Sequence, residues 1–137
     1  MIRLRIMKIG LAVVLSAAVS QGLLTTAYAQ TVDLSCTNSL NKDVSLYVSV
    51  DMSAQTVSWW GNSQTRDKAT TANATITDSQ VTWERNSESL GRVVWTDRHT
   101  LDRSTGSLTI ESWDKRGQPP WPYSSSSWVC KKAIQVF

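Results

Sequence analysis

The sequence predicts an all-β fold: a single small antiparallel barrel or sandwich of about seven or eight strands, joined as a meander. Two observations carry this expectation. Apolar and polar residues alternate with a period of two through most of residues 30–137, and turn residues recur about every ten to fifteen positions. The only two cysteines, Cys36 and Cys130, stand near the two ends of that stretch.

Residues 1–29 differ in kind. Arg3, Arg5 and Lys8 precede an apolar stretch from Ile9 to Val19, and Ala27-Tyr28-Ala29 closes the segment. A basic head, a short apolar middle and a small-x-small end make a secretory signal peptide. Cleavage is expected after Ala29, which places the mature domain at 30–137 in a periplasmic or secreted setting. A retained N-terminal anchor is the alternative. The apolar stretch is about half the ~20 residues that a spanning helix needs. Polar and charged residues interrupt every later apolar run, so no further transmembrane segment is expected. A lipoprotein is disfavoured, because Val32-Asp33-Leu34-Ser35 before Cys36 puts an aspartate where such a signal needs an apolar residue.

Three of the 14 basic residues lie in 1–29, which leaves 11 against 11 acidic residues in 30–137. The basic balance of the whole chain therefore belongs to its first segment. A nucleic-acid partner would require a surplus of Lys and Arg to release counterions. No such surplus exists, and the longest basic run is Lys131-Lys132.

The strands follow in order. Val44, Leu46, Val48 and Val50 alternate with Ser45, Tyr47 and Ser49. After a turn at 51–54, Thr56-Val57-Ser58-Trp59 resumes the pattern, and Gly61-Asn62-Ser63 turns again. A polar connection spans 62–71. Ala72, Ala74 and Ile76 then share a face, as do Val81 and Trp83 beyond the turn at 77–79. Val93 and Trp95 share a face in the next strand. Asp102-Arg103-Ser104-Thr105-Gly106 is the strongest turn signal, with Gly106 at a left-handed position and Asp102 accepting backbone N–H groups. Leu108 and Ile110 follow. Gly117-Gln118-Pro119-Pro120-Trp121-Pro122 reads as an irregular link, since its prolines lack ladder donors. A last strand is expected from about Ser127 to Ala133. In an exported chain Cys36 and Cys130 most simply pair, with two free thiols as the alternative.

Seven tryptophans are a high count for a chain of this length. Trp83 and Trp95 stand in phase with Val81 and Val93 and are expected in the core. Trp60 follows Trp59 and must point to the opposite face. Trp121 sits between prolines. Trp60 and Trp121, with the adjacent Tyr123, are the candidate binding residues, because exposed rings stack on apolar faces of ligands; packing is the other reading. His99, the only histidine, follows Asp97-Arg98 and reads as a surface residue near a strand end. No nucleophile elbow, zinc-protease helix or phosphate loop occurs. Acidic residues are scattered and paired with bases, and no loop gathers three carboxylates for calcium. No catalytic residue, metal site or cofactor is expected.

Four strings form a pattern: Val-Asp-Leu-Ser-Cys36, Ile76-Thr77-Asp78-Ser79-Gln80-Val81-Thr82-Trp83, Leu101-Asp102-Arg103-Ser104-Thr105-Gly106 and Trp128-Val129-Cys130. The pattern resembles small exported proteins of Gram-negative bacteria that carry an Ile-Thr-Asp-x-x-Ile/Val-x-Trp run and a Leu-Asp-Arg-x-Thr-Gly turn. The resemblance implies a fold type and a location, and it brings no catalytic motif. The expected function is that of an exported, non-enzymatic β-module that binds a cell-envelope component or protein. The alternative is an inhibitor of a cell-wall enzyme such as lysozyme. The chain resembles periplasmic C-type lysozyme inhibitors in size, export and disulfide closure, and lacks their Ser-Gly-x-x-Tyr loop.

Overall fold

A computed structural model describes residues 30–117, 119 and 121–133, with the side chains of 121–123 not included. The expected signal segment, 1–29, lies outside the described residues. The chain forms a closed antiparallel barrel of eight strands in sequence order. They are β1 (Thr31–Asn38), β2 (Ser45–Asp51), β3 (Thr56–Gly61), β4 (Thr70–Ile76), β5 (Gln80–Ser89), β6 (Arg92–Asp102), β7 (Ser107–Asp114) and β8 (Trp121–Lys132). A single 3-10 turn, Arg66–Lys68, interrupts the β3–β4 connection. β1 pairs with β8, so no strand edge is left open. Cys36 and Cys130 are register partners at that seam and are bonded, S–S 2.03 Å.

Alternation sets the two faces. Val48, Val50, Val57, Trp59, Val81, Trp83, Leu101, Leu108 and Trp128 point inward and form the buried core with the disulfide. Outward positions carry Ser, Thr, Asp, Glu and Arg, for example Ser58, Thr71, Thr82, Glu84, Arg98, Thr109 and Glu111. That is the reverse of the apolar-out pattern of a membrane-spanning barrel. No helix among the described residues is long and apolar enough to cross a membrane.

Two turns show why their residues are needed. Leu90 and Gly91 both have positive φ, 51° and 73°, and join β5 and β6, the strand pair with the longest register, by a two-residue connection. At the opposite end, Gly106 has φ 71° and an added Cβ would meet the Cys130 carbonyl oxygen at 2.5 Å. Gly106 O also accepts from Cys130 N at 2.8 Å, so this turn packs directly onto the stapled strand. Asp102 holds the turn: one carboxylate oxygen accepts from Ser104 N, Ser104 Oγ and Thr105 N. Those bonds, the Ser104 hydroxyl foremost, bring its pKa down to about 2.

The structure corrects three expectations. β8 begins at Trp121, so Trp121 and Pro122 of the expected irregular link join the ladder, opposite Asp114 and Trp113. The register shifts between Ser112 and Trp113, and Pro122 falls at that irregularity, where a missing donor is tolerated. Trp95 is only half-buried: it keeps the inward parity, opposite Ser87, but the register shift between Ser87 and Glu88 parts it from Val93, which is exposed. Arg116 covers the Trp95 ring at 5.0 Å while binding Asp114. His99 is buried, 3% exposed, in the middle of β6.

Candidate functional site: the barrel interior and its mouth

Register partners in an antiparallel sheet share a face, so the interior can be followed in rows. Val81, Leu101, Leu108 and Trp128 make one row. Trp83, His99, Ile110 and Ser126 make the next, and Arg85, Asp97, Ser112 and Ser124 the one after. Row by row the lining passes from wholly apolar, through the Trp83 and His99 rings, to polar. The interior therefore has an apolar end, where the turns 52–55, 77–79 and 103–106 lie, and a polar end.

The middle row seals the barrel. His99 stacks on Trp83 with ring centroids 4.7 Å apart and planes at 11°, and Trp59 lies 5.2 Å from His99 and 5.9 Å from Trp83. His99 Nδ1 and Trp83 Nε1 are buried without a hydrogen-bond partner among the described residues. Burial among the indoles pushes the His99 pKa below 6.5, against the pull of the Asp97 carboxylate and of the Trp83 and Asp97 backbone groups. Asp97 itself accepts from Ser112 Oγ at 2.6 Å.

A sign follows for stability. The unfolded chain takes up a proton on His99 near pH 6.5 and the folded chain resists it. Stability from this group is complete above that pH and is lost as the pH falls from it toward the depressed folded value. Denaturant unfolding should show a lower free energy at pH 5 than at pH 7.5, and His99→Phe should flatten that difference. An equal slope in the variant would place the titration elsewhere.

At the apolar end the barrel opens into a cavity of about 330 Å³. Its walls are Val32 and Leu34 of β1, Val50 and Met52 from β2 and its turn, Val81 of β5 and Leu101 of β6. The disulfide strand contributes Cys130, and the rim carries Gln30, Asp102, Arg103, Gly106 and Lys132. The Asp102 charge is held by its own turn, and Arg103 donates to Thr77 O across the rim. An eight-stranded barrel has room for packed side chains or one small ligand. Here the aromatic row fills the centre, and the space remains above it.

Trp60, the one candidate binding residue whose side chain is described, does not line this mouth. Trp60 points outward as expected, opposite to the buried Trp59, and is half-buried against Tyr47, rings 5.7 Å apart. The Trp121 and Tyr123 side chains lie outside the described residues; the backbone places both at the start of β8, where Trp121 stands opposite Asp114 of β7. Sequence reasoning missed the mouth because its walls come from the ends of different strands. The signal that could have found it is the inward alternation Val32-x-Leu34-x-Cys36, which faces Val50 and Val48. Among the described residues, no group of three or more His, Cys, Asp or Glu could hold a metal ion. No family model, curated protein or solved structure matches this chain.

Proposed function

We propose that this chain is an exported, non-enzymatic binding barrel that takes the apolar part of a small amphiphile into its mouth. The observation that carries the reading is the open aliphatic cavity over a sealed aromatic floor, with Arg103 and Lys132 on its rim. Apolar walls with a few polar groups at one edge are the usual make-up of a small-molecule site. The rim cations favour an anionic head, so a medium-chain carboxylate fits the chemistry. Make-up of residues 1–29 and the Cys36–Cys130 bond support export to an oxidising compartment. A non-enzymatic reading is supported by His99, whose ring is closed between two indoles.

Decanoate binding by titration calorimetry tests the proposal. Binding is expected for residues 30–137 with the disulfide intact. Leu34→Trp should fill the cavity and abolish binding without loss of the fold, while Lys132→Gln should weaken it. Equal affinity in wild type and Leu34→Trp would place any bound chain elsewhere and end this reading.

A second reading, inhibition of a cell-wall enzyme, draws on the β5–β6 hairpin. Its tip exposes Leu90 completely and holds it at φ 51°, a backbone state that costs about 1–2 kcal/mol for a residue with a Cβ. Strain and exposure at one apolar side chain suit a contact with another protein. Lysozyme activity that is reduced by wild type and restored with Leu90→Ser would favour it; no effect of wild type would remove it.

A further inference from the structure

On the outer face of the β1–β8 seam runs a groove bordered by Ser35, Thr37, Lys42, Tyr47, Lys131 and Lys132. Three of these side chains are cations, and among the described residues no carboxylate lines the groove. That segregation is notable in a stretch, 30–137, that holds as many acidic as basic residues. None of the three lysines takes part in an ion pair among the described residues.

The register explains how the groove is assembled. Ser35 stands opposite Tyr47 on one side and Lys131 on the other, and Tyr47 stands opposite Trp60. One outward row thus presents, across four strands, an indole, a phenol ring, a hydroxyl and an ammonium group. Thr37 continues the hydroxyl edge one step along β1, and Lys42 reaches in from the β1–β2 connection. Tyr47 is the ring that lines the groove. Trp60 stacks beside it and is held in turn by the Arg66 guanidinium, 5.6 Å over its ring. Arg66 also lies 3.7 Å from Asp33, whose carboxylate accepts from Ser49 at 2.6 Å. The Asp33 carboxylate is therefore already engaged and does not neutralise the lysines.

We propose that this groove binds an acidic glycan, a polysaccharide with carboxylates at intervals along its chain. Each feature matches a part of such a ligand. Ammonium groups pair with carboxylates, the Tyr47 ring takes the apolar face of a sugar ring, and Ser35 and Thr37 meet ring hydroxyls. Charge complementarity disfavours a neutral sugar, and the ring and hydroxyl wall disfavours a bare polyanion. This site lies on the outer wall and does not depend on what the mouth holds. Lys132 borders both places and is left unchanged in the test.

Titration of the disulfide-bonded chain with an oligogalacturonate at low salt is the experiment, with a neutral cello-oligosaccharide and a single-stranded DNA oligomer alongside. The acidic glycan should bind, more weakly as salt rises. Lys42→Gln with Lys131→Gln should weaken it about three- to tenfold and leave the melting temperature unchanged, since both side chains are exposed. Tyr47→Ala should weaken it as well, and Tyr47→Phe should retain it, which separates loss of the ring from loss of the fold. Equal binding of the neutral oligosaccharide would overturn the proposal. So would DNA that binds as well as the glycan and ignores Tyr47→Ala, because the groove would then be a bare cationic surface. Absence of glycan binding overturns it outright.

Discussion

Trp83→Ala is expected to lower the unfolding free energy by about 3–5 kcal/mol, the range for truncating a large buried aromatic. Trp83 is 2% exposed and sits in the row that seals the barrel. Its ring is stacked on His99 and tilted against Trp59. Alanine there leaves both neighbours facing a void, and the residues at the closed barrel wall cannot collapse into it without breaking the β5 ladder on either side. A domain of this size holds only about 5–15 kcal/mol in total, so the variant should be near its limit at room temperature. Denaturant unfolding measures it: the midpoint should fall with the slope little changed. Trp60→Ala, on the outward face, is the internal comparison and should cost much less. A midpoint for Trp83→Ala equal to that of wild type would mean that the aromatic row is not what fills the barrel.

That comparison shows which kinds of position were legible in the sequence. Trp83 follows Val81 by two, and Trp59 follows Val57 by two; period-two alternation placed both inside, and both are. Trp60 was placed outside by the same rule. The two cysteines near the domain ends implied adjoining termini, and the seam has them as direct partners. Other residues defeated the rule for physical reasons. Trp95 shares the parity of His99 and Leu101, but the bulge at Ser87/Glu88 alters the wall beside it and Arg116 lies over its ring. His99 reads as surface because Asp97 and Arg98 precede it. Its burial depends on cross-strand rings that no local window contains. β1 carries a plain alternation at Val32, Leu34 and Cys36 that marks its inward face. Tyr47 looks like any outward strand residue until the register sets it between Ser35 and Trp60. Strand identity is a local property, whereas the mouth and the groove exist only once eight strands have a common register.

The disulfide is expected to matter most of all. Replacing Cys36 and Cys130 together by alanine should remove about 4–5 kcal/mol, since the bond closes a loop with a sequence separation of 94 and the chain-entropy cost grows with loop length. The place of the bond sharpens the expectation. Every other strand pairing in the barrel joins neighbours in sequence, whereas β1 and β8 come from opposite ends of the domain. Without the bond that seam must be closed by its own pairing, five register pairs from Leu34 with Lys132 to Asn38 with Trp128. The loop-closure entropy then falls on those pairs alone. The variant should therefore lose stability globally and also unevenly. Hydrogen exchange should accelerate first at the amides of β1 and β8, while those of the β5–β6 hairpin, paired locally, keep their protection. Gly106, which accepts from Cys130 N through its carbonyl, should follow the seam and carry the β6–β7 turn with it. Because the mouth draws Val32 and Leu34 from β1 and Cys130 from β8, decanoate affinity should drop in the same variant. Reduction of the wild-type chain is the matching measurement without mutation. If reduced and oxidised protein unfold at the same denaturant concentration, the ladder alone holds the barrel shut and the staple is dispensable.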